Sequence, residues 1–332
     1  MAGHDIIVIG ASSGGVEALI ELFEGMPGDL PAAIFVVVHI PEEAPSLLPR
    51  ILNRAGPLTA VHPEDGDLIK SGRVYVAPPD SHLLVQDGRV RLGRGPRENR
   101  HRPAVDPLFR TAALAYGPRV AGVVLTGARD DGSAGLLAIK RRGGVAVVQD
   151  PDDALFPGMP ESALRYAGVD YCLPLNEIPP LLARVAREEA EEEGAYPVPD
   201  DMELESRIAG LDPTAVDSGE RPGEISGYTC PECSGPLFEI QDGKLIRFRC
   251  RVGHAHTAES MLAEKTEALE NALYVALNTL EESADMVERL AARSREREHE
   301  HAAKRFEERA RNARRQAAVI RQVLTKDVKD VV

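Results

Sequence analysis

Short runs of β-branched residues, each followed by a helix-length segment, constrain this chain more than any other feature. Ile6-Ile7-Val8-Ile9, Ile34-Phe35-Val36-Val37-Val38, Val123-Val124-Leu125 and Val145-Ala146-Val147-Val148 are continuously apolar rather than alternating. A strand that is apolar on both faces must be covered on both, as in a parallel sheet with helices on either side. Strands are predicted at 5–9, 33–38, 59–61, 74–77, 83–86, 89–92, 122–125 and 145–148. Asp87-Gly88 is a hairpin signal and predicts an antiparallel edge. The expected fold is therefore α/β, a doubly wound, mainly parallel, Rossmann-like sheet over residues 1–187.

Such sheets gather functional groups at the carboxyl ends of their strands. Three polar residues stand at those positions: Ser12 in Gly10-Ala11-Ser12-Ser13-Gly14-Gly15, His39 after Val38, and Asp131 in Arg129-Asp130-Asp131-Gly132. Each has a plain structural reading. Ser12 could cap a helix in a nucleotide loop, His39 could be a core histidine, and Asp131 or its neighbour Asp130 could serve a turn. Together, at three ends of one sheet, they can meet as a hydrolytic triad. A dinucleotide-binding loop fits less well. Ser12 takes the position of the glycine that lets backbone approach a pyrophosphate, and no acidic ribose partner follows about 20 residues on. Gly-x-Ser-x-Gly, a serine on a sharp strand-to-helix turn, is the better reading.

The remainder of the chain divides by composition. Residues 188–226 are acidic and dotted with Pro and Gly, which predicts a solvated, flexible linker that can hold short helical fragments. Residues 227–257 carry Cys230-Pro231-Glu232-Cys233 and, after sixteen residues, Cys250-Arg251-Val252-Gly253-His254. A hairpin is expected between them at 237–240 and 245–248, turning at Asp242-Gly243. This pattern resembles a zinc ribbon. Zinc takes four N or S ligands, so Cys230, Cys233 and Cys250 with His254 or His256 would fill a structural site. Cys172, in Tyr171-Cys172-Leu173, reads as a small buried hydrophobe. Residues 258–328 are predicted to form a helical hairpin or coiled coil, with a turn near 296–300. Leu262, Leu269, Leu273, Leu277, Leu280, Ala284, Val287 and Leu290 recur at helical spacing as its expected seam. The same helices are a candidate surface for homo-oligomerisation.

A formal net charge of −14 argues against nucleic acid as a partner. No secretory signal pattern and no membrane-length apolar run is visible, so a cytoplasmic location without membrane insertion is expected.

The segments around Ser12, His39 and Asp131 resemble the motifs of CheB-type protein-glutamate methylesterases of bacterial chemotaxis. The nucleophile turn appears as Gly10–Gly15, the histidine segment as Val37-Val38-His39-Ile40-Pro41, and the aspartate segment as Leu125-Thr126-Gly127-Ala128-Arg129-Asp130-Asp131-Gly132. Further matches are Val74-Tyr75-Val76-Ala77-Pro78 with His82, Arg102-Pro103-Ala104-Val105-Asp106-Pro107-Leu108-Phe109, and Phe156-Pro157-Gly158-Met159-Pro160. The resemblance implies that Ser12 is the nucleophile, His39 the base and Asp131 its orienting partner, with backbone N–H groups at Ser13 and Ala128 holding the oxyanion. It implies glutamyl methyl ester hydrolysis and glutamine deamidation on chemoreceptor helices, with no catalytic cofactor and with a receiver protein or kinase as further partners.

Two departures stand out. The family commonly has Met-Gly where this chain has Ala128-Arg129. Many members also carry an N-terminal receiver domain, whereas these motifs begin at residue 5, so either constitutive activity or control by the C-terminal extension is expected. A non-catalytic adaptor is the competing reading; retention of all three polar residues argues against it.

Overall fold

The β-branched runs form the centre of one parallel sheet. The computed structural model describes residues 3–40, 46–86, 88–212 and 223–325; Pro41, Asp87 and residues 213–222 of the expected linker lie outside the described residues. The chain divides into two compact units, Met1–Ser260 and Met261–Val332.

In the first unit the strands are β1 (Ile6–Ala11), β2 (Ala33–Val38), β3 (Thr59–Val61), β4 (Arg73–Val76), β7 (Val120–Val124), β8 (Val145–Gln149) and β9 (Tyr171–Leu173). Their order is β3-β4-β2-β1-β7-β8-β9 and every pairing is parallel. Alternate residues of β1 enter two different cores. Ile7, Ile9 and Ala11 pack with α1 (Gly15–Glu24), α2 (Leu48–Ala55) and α6 (Ile178–Val185). Ile6 and Val8 pack with α3 (Val105–Tyr116), α4 (Ser133–Arg141) and α5 (Gly158–Tyr166). That is why these strands read as continuous apolar runs.

The expected antiparallel edge is corrected. β5 (His82–Gln86) and β6 (Arg89–Gly93) do form a hairpin, but as a separate two-stranded sheet. Its Leu83, Val85 and Val90 cover the second core, so burial against the helical layer replaces pairing at the edge. Cys172 is also corrected: it lies in the edge strand β9 and is exposed.

The stretch expected to be a flexible linker contains α7 (Asp200–Ala209), which buries Met202, Glu205, Ser206, Ile208 and Ala209. Beyond it, β10 (Glu224–Thr229), β11 (Pro236–Asp242), β12 (Leu245–Cys250) and β13 (Ala255–Thr257) form a four-stranded antiparallel sheet. The β11–β12 hairpin falls where the sequence places it, with Gly243 at φ +64° in the turn.

This small sheet is fastened to the α/β part by a buried ionic cluster. Glu98 accepts from Arg110 of α3 at 2.7 Å and from Arg249 of β12 at 2.9 Å. Glu205 of α7 pairs with Arg247 of β12 at 2.9 Å and Arg110 at 3.2 Å. Asp242 of β11 accepts from Arg141 of α4 at 2.6 Å. Buried carboxylates persist only when paired and hydrogen-bonded, and here each faces at least two guanidinium groups.

In the second unit, α8 (Ala258–Glu296) and α9 (Glu300–Thr325) form a helical hairpin, breaking where the charge-dense turn is expected. Ion pairs Arg295–Glu307, Arg314–Glu288 and Arg321–Glu281 step down one helix as they step up the other, which defines an antiparallel register. The expected seam is corrected in part. Ala284 of that seam is buried and Leu273, Leu277, Leu280 and Val287 are half-buried, but Leu262, Leu269 and Leu290 are exposed, and the other buried positions are Ala291, Ala303, Ala310 and Ala317. Alanines at seven-residue steps occupy the most buried line of each helix. Among the described residues, no helix is long and apolar enough to cross a membrane.

Candidate active site

β1 and β7 are neighbours at the point where the chain switches from building one side of the sheet to the other, where doubly wound folds form a crevice. Ser12 follows β1, His39 follows β2 and Asp131 lies between β7 and α4. The structure brings all three together. His39 Nδ1 lies 3.0 Å from Ser12 Oγ, and His39 Nε2 lies 2.7 Å from Asp131 Oδ2. With Nε2–H donating to the carboxylate, the Nδ1 lone pair faces the serine hydroxyl, as a general base requires.

Close packing fixes the serine. Gly14 holds φ +74° at the N-cap of α1, which an L side chain adopts only at a cost. A Cβ on Gly127 would lie 2.1 Å from Met159 Sδ and 2.9 Å from Ser12 Cβ, so only glycine fits beside the nucleophile turn. The Ser12 N–H donates to the Thr126 carbonyl at 3.0 Å, and Thr126 Oγ1 lies 3.1 Å from the Ser13 carbonyl oxygen. Neither the Ser13 nor the Ala128 N–H makes a hydrogen bond to another described residue. Arg129, at the family's glycine position, adopts φ +67°, the left-handed conformation that glycine takes without strain.

Asp131 is buried and accepts five hydrogen bonds. Besides His39, the Val105 N–H (2.7 Å), the Gly132 N–H (3.0 Å), the Asp106 N–H (3.2 Å) and Asn99 Nδ2 (3.0 Å) point at its two oxygens. Burial alone would raise its pKa. The His39 contact and the backbone and amide donors outweigh burial and hold it well below the usual carboxylate range. Asp106, which also accepts from Asn99 Nδ2 (2.9 Å) and from the Gly135 N–H (2.7 Å), is pushed up by burial and by the Asp131 charge. His101 stacks face to face on His39, with ring centroids 3.6 Å apart. Burial, then the neighbouring His39, pushes its pKa down to about 3, so it remains a neutral wall.

Asp130, the alternative to Asp131, hydrogen-bonds Thr257, while His39 bonds Asp131. Burial raises the Asp130 pKa to about 6, above the unfolded value near 3.8. A raised carboxyl pKa gives stability that is complete below about pH 4 and is lost as pH rises through 6. Asp130→Asn is therefore expected to match the wild type in stability near pH 4 and to exceed it by up to about 3 kcal/mol above pH 6. Denaturant unfolding across that range is the check, and a constant difference would contradict it.

The cleft above Ser12 and His39 is lined by Ile40, Arg97, Arg100, His101 and Arg102. Asn99 and His101 are absent from the sequence reading because the matched segment at Arg102 stops just short of them. Their only signal was an Asn and a His flanking an arginine in a charged loop without periodicity.

In the small antiparallel sheet, Cys230, Cys233, Cys250 and His254 place their ligand atoms within 4.8 Å of one another. Cys233 and Cys250 sulfurs are 3.6 Å apart, and His254 Nδ1 is 3.5 Å from Cys250 and 3.8 Å from Cys230. A tetrahedron with Zn–S near 2.3 Å has edges of about 3.8 Å, so the group fits that ion. His256 Nε2 lies 3.6 Å from Cys230 alone and 4.0 Å from Glu232, outside the four.

A serine, a histidine and an aspartate in hydrogen-bonded sequence at the switch point of a parallel sheet have the arrangement used by acyl-transferring hydrolases with a serine nucleophile. The family description "CheB methylesterase" matches residues 7–182. A protein-glutamate methylesterase/protein-glutamine glutaminase of Anaeromyxobacter dehalogenans is 40% identical over 186 residues, 55% of this chain and 51% of that protein. A relative from Leptospira interrogans is 40% identical over 190 residues, 57% of this chain and 98% of its own length. The crystal structure of the Thermotoga maritima CheB methylesterase catalytic domain superposes with a TM-score of 0.53 at 36% identity, covering 55% of this chain and 99% of that domain. The chain belongs to the CheB methylesterase family. It spans about half the length of the Anaeromyxobacter relative and nearly all of the Leptospira one.

Proposed function

We propose that residues 1–187 hydrolyse glutamyl γ-methyl esters on chemoreceptor cytoplasmic helices in a chemotaxis-like system. The observation that carries this reading is the Ser12–His39–Asp131 geometry within a CheB-family domain. Ser12 Oγ attacks the ester carbonyl while His39 Nδ1 takes its proton. His39 then returns that proton to the departing methoxide, giving methanol and an acyl-enzyme. Asp131 holds the ring and balances the imidazolium charge. The N–H groups of Ser13 and Ala128 receive the oxyanion; one such donor is typically worth about 3 kcal/mol of barrier. Water activated by His39 releases the glutamate. With a glutamine side chain the same steps expel ammonia, a deamidation.

The cleft's Arg97, Arg100 and Arg102 suit an acidic helix, the character of a glutamate-rich receptor segment. The test is methanol release from methylated receptor cytoplasmic fragments by the intact chain. Folded protein that releases none from any such fragment would overturn the reading.

We further propose a structural Zn2+ on Cys230, Cys233, Cys250 and His254, which would tie the ends of β10, β12 and the β12–β13 turn. Residues 258–328 would then form a separate helical element for a partner protein of the signalling system or a second copy of the chain. Metal analysis is expected to find one zinc per chain in the wild type and none in Cys230→Ser/Cys233→Ser. A metal-free wild type purified under reducing conditions would refute the site.

A further inference from the structure

Asn99 uses its side-chain amide and its backbone N–H on two sides. Its Nδ2 donates to Asp131 Oδ1 at 3.0 Å and to Asp106 Oδ2 at 2.9 Å, so one amide bridges two buried carboxyl groups. Its Oδ1 accepts from the Thr257 N–H at 3.1 Å, and its own N–H donates to the Ala255 carbonyl at 2.8 Å. Both partners belong to β13, in the small sheet that carries the cysteines. Asn99 and Arg100 also hold φ of +49° and +74°. Two successive non-glycine residues in that region are costly and persist only where their surroundings hold them. Here β13 supplies that hold.

We infer that Asn99 is a positioning residue for Asp131, and that the C-terminal cysteine-bearing sheet acts on the reaction through it. This rests on the triad reading given above. The amide directs a charge-assisted hydrogen bond at the Asp131 oxygen that His39 does not use, fixing the carboxylate plane and thus the imidazole. It also presents a donor to both Asp131 and Asp106, where a carboxylate in its place would face two of its own kind. Because β13 fixes both the backbone and the amide oxygen of Asn99, loosening the small sheet frees the amide to rotate. The extension is then a built part of the active-site wall, coupled to the nucleophile across one side chain.

The experiment uses the full chain and a fluorophosphonate, which Ser12 attacks with loss of fluoride. Labelling is followed for both its rate and its stoichiometry. Asn99→Ala is expected to label stoichiometrically but about tenfold to a hundredfold more slowly. Asn99→Asp, close in shape, is expected to be as slow or slower, and it keeps the test intact if the alanine variant does not fold. A purely structural role would instead lower the labelled fraction while the remaining molecules reacted at the wild-type rate, which would overturn the proposal. Cys230→Ser/Cys233→Ser is then introduced into the wild type and into Asn99→Ala. The proposal expects a loss of rate of about tenfold or more in the first background and less than about twofold in the second. Equal losses in both, or no loss in the wild type, overturn the coupling. A folded wild type that does not label at all refutes the triad itself, a result distinct from these.

Discussion

Ser12→Ala is expected to lower methanol release about a millionfold in turnover, leaving only what the oxyanion donors and binding provide. No other hydroxyl in the described cleft can replace it. Ser13 is next in sequence but lies at no hydrogen-bond distance from His39, and its carbonyl is tied to Thr126. Asp131→Asn is expected to cost about ten-thousandfold, by a different route. Both Asp131 oxygens receive donors, five in all, so an NH2 group at either position would meet an N–H. The amide would also favour the histidine tautomer whose Nε2 accepts, which turns Nδ1–H toward the serine and removes the base. Steady-state methanol release by wild type, Ser12→Ala and Asp131→Asn on one receptor fragment checks both. A Ser12→Ala rate within tenfold of wild type would place the nucleophile elsewhere.

The candidate site was legible in the sequence as far as its residues sit at strand ends. β1, β2, β7 and β8 declare themselves because both faces are buried, and Ser12, His39 and Asp131 follow from where those strands stop. Asn99 and His101 do not. They lie in a loop whose conformation is set by β13, more than 150 residues later, and no local pattern encodes that contact. Glu205 is a sharper case. Within an acidic, Pro-dotted stretch it reads as a solvated charge, yet three arginines from α3 and β12 surround it. Charge pairing across such separations is invisible to periodicity. The hairpin helices were legible as helices, but their seam only in part: Ala284 is buried, whereas Leu262, Leu269 and Leu290 are exposed. A leucine stripe and an alanine stripe share the same helical spacing, and only the separation of the axes decides which one is buried.

Glu205→Ala is expected to destabilise the first unit by about 3–5 kcal/mol at neutral pH, the range for breaking a buried ion pair by removing one partner. Glu205 is only 1% exposed, and Arg247 grips both of its oxygens at 3.0 and 2.9 Å. With it gone, Arg110, Arg247 and Arg249 share Glu98 and Asp242, leaving one guanidinium uncompensated in the interior. Burial by itself would raise the Glu205 pKa, but Arg247, Arg249 and Arg110 outweigh it and hold the group well below the usual carboxylate range. A depressed carboxyl pKa contributes stability that is present above the unfolded value of about 4.3 and is lost as pH falls below it. The gap between wild type and Glu205→Ala should therefore be constant from pH 6 to 8 and shrink below about pH 4. Native-state hydrogen exchange at α7 and β12 amides reads this opening separately from the helical hairpin. A difference under about 0.5 kcal/mol at pH 7 would mean that water, not Glu205, carries the compensation. The small sheet would then be held to the α/β part by Glu98, Asp242 and the Asn99 contacts to β13.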